Sequence, residues 1–222
     1  MEKTVRMVCL ANSRKNGGRC VAGMEVVSKS WMRPVSRRLN EEVSAIERQY
    51  VGKVEPQVLD VVKLRLTERK PSAFQRENWL FDHTVRWEKV GRIGWEELNG
   101  LEQQPESLWI DGYSTWGGLN NKIPVSRQDE VSGSLVLIRV DAVEIKGDGS
   151  GLFAHFDYMG RDYAINLTDP VYEEIMEAKG YRRHKLGESF ITVSLGKEWH
   201  GYLFKFVAAI IERSELESGD RQ

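Results

Sequence analysis

The sequence predicts a mainly β protein, and three observations carry that expectation. Apolar and polar residues alternate with period two through much of the C-terminal half, glycine-containing turns punctuate the chain, and helical signals are short. Of 222 residues, 41% are hydrophobic and 29% charged, which supplies a core and excludes a wholly disordered chain.

From the N-terminus, Val5 to Leu10 and Arg19 to Val27 are apolar runs on either side of Asn16-Gly17-Gly18. That is hairpin chemistry, because Asn and Gly accept the positive φ of a tight connection. In the next piece, Trp31 to Ser36, Pro34 disfavours helix at Arg33, so the segment is expected to be extended or at a sheet edge. A short helix is expected over Asn40 to Arg48 with Asn40 as N-cap. Val58 to Leu66, rich in β-branched residues, reads as a strand. Residues 71–124 hold Trp79, Trp87, Trp95, Trp109 and Trp116, five of the seven tryptophans, and a short helix is expected over Gly94 to Leu101. The segment reads as a long insertion whose aromatics fasten it to a barrel.

Beyond Ser134 the period-two signal is clear. Leu135 to Ile145, Leu152 to Tyr158, Asp162 to Leu167, Ser189 to Leu195 and Tyr202 to Ile211 read as five strands. A helix over Val171 to Lys179 lies between the third and fourth, with Pro170 at its start and Gly180 past its end. The stretches 147–151 and 158–162 carry turn chemistry. Five strands with a helix between the third and fourth is the order of an OB-fold barrel. The run Tyr181-Arg182-Arg183-His184-Lys185 reads as a solvated loop, and Ser214 to Gln222 as a frayed polar tail.

A formal net charge of −1 gives no global attraction for a polyanion, so any nucleic-acid site must be a local patch. Two cysteines, Cys9 and Cys20, read as reduced buried thiols rather than a disulfide. No signal peptide is visible from Met1 onward and no apolar run approaches the roughly 20 residues of a membrane span, so a cytoplasmic protein without a membrane partner is expected. His83, His155, His184 and His200 are scattered without zinc spacing, and no phosphate-binding or nucleophile-elbow motif occurs. The expectation is a protein with no catalytic residue, metal or cofactor.

Several short motifs resemble a prokaryotic family of dual OB-fold domains: Cys9 to Lys15, Gly18 to Gly23, Trp31 to Ser36, Glu77-Asn78-Trp79 and Tyr163 to Pro170. The resemblance covers about residues 4–212. It implies two adjacent OB-like barrels with short helices and the Trp-rich insertion, and a place in bacterial conflict or defence systems with a suggested role in nucleic-acid recognition. On this reading residues 1–130 form the first barrel with its insertion at about 71–124, 131–213 form the second, and 214–222 are tail.

The first 38 residues carry nine Lys and Arg against only Glu2 and Glu25. Cations on a glycine loop approach phosphates closely, and a neighbouring aromatic offers a stacking face for a single strand. The candidate nucleic-acid-binding residues are therefore Arg14, Lys15, Arg19, Trp31, Arg33 and Arg37, with Tyr113 and Trp116 from the glycine-rich stretch Gly112 to Asn120. Single-stranded DNA or RNA is the leading ligand. A protein-interaction adaptor for a partner enzyme, with a protein partner in a defence complex, and a sensor of a small nucleotide held between the barrels stand as the other readings.

Overall fold

A computed structural model describes residues 2–147, 151–180 and 182–218, and the chain divides into two units, Met1–Leu101 and Glu102–Gln222. The strands of the first unit are β1 (Lys3–Lys15), β2 (Gly18–Glu25), β3 (Trp31–Val35), β4 (Asp60–Arg69), β5 (Asn78–Phe81) and β6 (Glu88–Arg92). Helix α1 (Ala45–Arg48) lies between β3 and β4, and α2 (Trp95–Asn99) follows β6.

The expected hairpin forms between β1 and β2. Lys15 faces Gly18 across a two-residue turn in which Asn16 and Gly17 have φ of 44° and 79°, the conformation that matches the twist of paired strands. Strand β1 serves two neighbours: its first half pairs with β4, its second half with β2, and a bulge between Cys9 and Ala11 swings it from one to the other. Gly23 sits opposite Cys9 at that bulge, where any Cβ would collide with the Val8 carbonyl. The order β1-β2-β3-β5-β4, with β4 returning to β1, closes a five-stranded barrel, and the β3–β5 pair is parallel. That is OB topology, with α1 in the place of the helix between the third and fourth strands.

The segment from Trp31 is extended, as expected, and lies inside the sheet as β3: β2 pairs with Trp31 and Met32, and β5 pairs with Arg33 to Val35, so Pro34 lies where the β2 ladder has already ended. Two expectations are corrected here. The helix expected from Asn40 begins only after Ser44, because Glu41 has φ of 62° and Val43 exchanges two backbone hydrogen bonds with Arg19. Ser44 and Glu47 then form a reciprocal capping box. The front of residues 71–124 is no insertion, since β5 and β6 pair with the two halves of one side of β4, and Trp87 (1% exposed) meets Phe81 edge-on at 5.4 Å in the core.

The second unit contains β7 (Lys122–Pro124), β8 (Leu135–Val140), β9 (Val143–Gly147), β10 (Leu152–Tyr158), β11 (Arg161–Leu167), β12 (Arg183–Leu186), β13 (Ser189–Trp199) and β14 (Tyr202–Glu212). Helix α3 (Pro170–Lys179) follows β11, and α4 (Arg213–Ser218) follows β14, so part of the expected tail is helical. The run expected as one strand, Leu135 to Ile145, breaks at Asp141 and Ala142. Val136, Ile138 and Val140 face the core before the break and Val143 and Ile145 after it, so the inward phase slips by one residue. Strand β8 pairs with β13 and β9 with β10, so the two pieces together do what β1 does in the first unit. The order β9-β10-β11-β14-β13-β8, with a parallel β11–β14 step, repeats the OB sequence.

Helix α3 is fixed at both ends. The Asp169 carboxylate accepts from Val171 N–H at 3.0 Å and from Ile210 N–H at 3.0 Å, while Gly180 ends the helix at φ 62°. The basic run after α3 is a strand, not a loop: Arg183 to Leu186 pair with β9 as β12, because their backbone groups find a ladder there. Tyr181 of that run, and 148–150 of the expected turn 147–151, lie outside the described residues.

Residues 102–130 pack with the second unit, which places the division at Leu101 rather than at 130. Leu108 is buried in the second core, Tyr158 donates to Pro105 O at 2.8 Å, and Leu108 N donates to Tyr163 Oη at 3.3 Å. Further on, Leu119 exchanges backbone hydrogen bonds with Ala164 of β11, while β7 pairs with β14. The segment thus bridges the third and fifth barrel strands where their short parallel ladder has ended. It is fastened by Lys205, whose wholly buried ammonium meets Asp111 Oδ1 at 2.9 Å and Ile110 O at 2.9 Å.

Candidate nucleic-acid interface

The β1–β2 turn carries the cations that the sequence singles out. In the ladder Arg14 stands directly opposite Arg19, on the face that two residues further in holds Asn12 opposite Val21, a core residue. Both guanidinium groups therefore belong to the barrel side of the projecting hairpin end. Arg14, Lys15 and Arg19 line one pocket of about 470 Å³ together with Asn16, Gly17, Gly18 and, from α1, Ala45 and Arg48. The connection between the first and second strands is one of the loops that frame ligands in this fold.

Arg48 is a pocket residue that sequence reading did not single out. It is buried and committed: its Nη2 meets both Glu55 carboxylate oxygens at 2.8 Å and its Nη1 donates to Val43 O at 2.9 Å. It builds the pocket wall, and Glu55 balances its charge. On the far side of Gly18 stands Glu42, whose carboxylate accepts from Arg38 at 2.8 Å; that bond first, and then the backbone, hold it below the ordinary carboxylate range.

The remaining candidates do not converge on this pocket. Trp31 pairs with Met24 at the far end of β2, five residues from Arg19, or roughly 17 Å at strand rise. Arg33 is 3% exposed and spends its charge on Glu77 at 3.0 Å, with Asn78 Oδ1 at 3.3 Å, so it is a structural pair rather than a phosphate contact. Arg37 is exposed but lines a different pocket, of about 290 Å³, with Arg38, Glu47, Phe81 and His83. Tyr113 and Trp116 belong to the second unit. Tyr113 is half-buried and hydrogen-bonded to Arg127, whereas Trp116 is fully exposed (104%), in the loop that docks on β11. Of the other four tryptophans of the segment, Trp87 and Trp95 are buried, and Trp79 and Trp109 pack against the two cores.

Other chemistry-bearing side chains serve the framework. Cys9 and Cys20 are free thiols; Cys9 is wholly buried, and burial, with Asp60 adding, pushes its thiol up to about 12. Asp60 (1% exposed) gathers Lys89 at 2.8 Å, Arg92 at 3.1 Å and the Tyr50 hydroxyl at 3.1 Å, tying β6 and the 50–57 loop to β4. Among the described residues no group of three or more His, Cys, Asp or Glu side chains is placed to hold a metal ion, and no helix is long and apolar enough to cross a membrane.

Two successive five-stranded arrangements of OB order, each with a helix between its third and fourth strands, define a tandem OB-fold protein. The chain belongs to the family described as the dual OB-containing domain, whose model matches residues 5–210. A search of curated proteins and a search of solved structures return no match.

Proposed function

We propose that the chain is a non-catalytic module that binds single-stranded nucleic acid, DNA or RNA, through the phosphates that meet the β1–β2 turn. The observation that carries this reading is the convergence of Arg14, Lys15 and Arg19 on one pocket beside a two-residue Asn-Gly turn. Guanidinium groups bind phosphate oxygens in bidentate fashion, and glycine backbone lets the phosphodiester chain come close. The family, built on a fold that widely binds oligonucleotides, supports the same ligand class. The resemblance to a prokaryotic dual OB-fold family implies a role in defence, which a phage-challenge assay comparing wild type with the cation-depleted variant below tests; equal protection by both would detach the pocket from that role.

The direct experiment is fluorescence polarisation of labelled single-stranded DNA, single-stranded RNA and duplex against the full chain over a salt series. Three phosphate contacts on a single strand give a slope of about −2 in log K against log salt. The variant R14A/K15A/R19A flattens that slope and weakens all sequences alike. A wild type that binds no polynucleotide at low salt would falsify the proposal.

A further inference from the structure

The connection between β13 and β14 carries an aromatic surface that the core does not use. His200 and Gly201 have φ of 49° and 80°, so the turn is a two-residue hairpin, and Trp199 stands directly opposite Tyr202 on one face. Along β14, Leu203, Lys205 and Val207 are fully buried, whereas Tyr202, Phe204 and Phe206 alternate with them and remain half-exposed. Trp199 is 63% exposed at the tip, its ring 4.3 Å from His200 and 5.5 Å from Phe204. Lys122 Nζ lies 4.0 Å above the Tyr202 ring.

A hairpin tip of this kind needs only turn residues to form, and a half-exposed Trp and Tyr add apolar surface facing water. The charges beside that surface decide what covers it. Strand registers place Arg183, Lys146, Phe153, Asn166 and Phe206 in one cross-strand row, so cations of β12 and β9 share the face on which the β14 aromatics lie. Lys146 and Arg183 lie three and four strands from β14 and share the Glu144 carboxylate at 2.9 and 3.8 Å, so the cation at the stripe itself is Lys122. Exposed aromatic faces with the Lys122 ammonium laid on one of them match unpaired bases joined by phosphates better than an apolar protein segment.

We infer that Trp199 and Tyr202, with Phe204 beneath them, form a base-stacking platform for single-stranded nucleic acid, separate from the arginine pocket of the first unit. The inference rests on the nucleic-acid reading above and adds to it that the bases, and not only the phosphates, are held. Stacking depends on a π-face and little on sequence, so the platform takes any unpaired base.

The test uses the full chain and two labelled 15-mers, oligothymidine and an abasic strand of the same length and charge. Wild type is expected to bind oligothymidine about fivefold or more tighter than the abasic strand. W199A/Y202A loses that preference, W199F/Y202F keeps it, and R14A/K15A/R19A weakens both strands equally. Equal wild-type affinity for the two strands, or an undiminished preference in W199A/Y202A, overturns the platform and leaves the phosphate reading standing. No binding of either strand at low salt overturns both. Concentration-dependent self-association of the wild type that W199A/Y202A abolishes assigns the patch to a second copy of the chain and likewise overturns the platform.

Discussion

The two barrels run through the same strand order and close it by different means. In the first unit one continuous strand, β1, bends at a bulge and pairs on both sides. In the second that strand is cut at Asp141–Ala142, the third and fifth strands share only the pairs Asn166–Phe206 and Leu167–Val207, and a segment from outside the five-strand pattern bridges the gap. The consequence is a difference in what holds each barrel. Both contain buried ion pairs, but in the first they join β3 to the residue preceding β5 and β4 to the added β6, around a core holding Trp87, whereas in the second the Lys205–Asp111 pair fastens the bridging segment to β14. The surfaces differ in parallel: the first presents cations at the β1–β2 turn, and the second presents aromatics at the β13–β14 turn.

The largest expected effect breaks the second closure. Asp111→Asn leaves the Lys205 ammonium buried without its carboxylate; burial already pushes that lysine below its ordinary value, and Asp111 opposes the shift. Removing one partner of a buried pair costs about 3–5 kcal/mol. Chemical denaturation of D111N should show that loss, and a change below about 1 kcal/mol would mean that the bridging segment does not depend on the pair.

The next effect compares the two helices that follow the third strands. Asp169→Ala removes a cap worth about 1 kcal/mol and leaves the Ile210 N–H without its acceptor, a further cost of about 1–3 kcal/mol. Ser44→Ala removes only a capping-box hydroxyl at α1, about 1 kcal/mol. Equal losses for the two variants in urea titrations would contradict the anchoring of α3 to β14.

The smallest effect is a pH dependence confined to the second unit. Burial, and after it the Lys146 cation, push the His155 imidazole below its ordinary value of 6.5; Glu144 opposes them and Arg183 adds to them. A group depressed in the folded state contributes stability that is present above its unfolded value and lost as pH falls through the folded one. Wild type should therefore lose more stability than His155→Gln as pH is lowered from 7 through 6.5 and below, followed by thermal melts in matched buffers. A pH profile unchanged by the substitution would remove His155 from the account.

The same contrast explains which parts were legible in the sequence. Asn16-Gly17, the strand alternation of β10, β11, β13 and β14, and the Pro170 to Gly180 helix are local signals, and each appears where the residues place it, within a few positions. The phase slip of Val140 to Val143 was also present in the residues, but a β-rich run hides a one-residue slip unless its parity is followed. The first helix was misplaced because long-range pairing of Val43 with Arg19 overrides an acceptable cap at Asn40. At the candidate site, Arg14, Lys15 and Arg19 were adjacent through a turn and so could be grouped. Arg33 could not be told from them, since its partner Glu77 is 44 residues away. Trp199 was passed over because a lone tryptophan beside a turn carries no period of its own.

By itself the sequence determined what depends on neighbours: a mainly β chain, its turn positions, the OB strand order of the second half and the basic first hairpin. Tertiary structure alone decided that residues 102–124 complete the second barrel, that Arg33 is spent on a buried pair, and that Trp199, Tyr202 and Lys122 share one face. The physical reason is distance along the chain. Backbone preference and hydrophobic period act over a few residues, whereas strand pairing and burial of charge are settled between residues tens of positions apart, where many alternatives compete until the core closes.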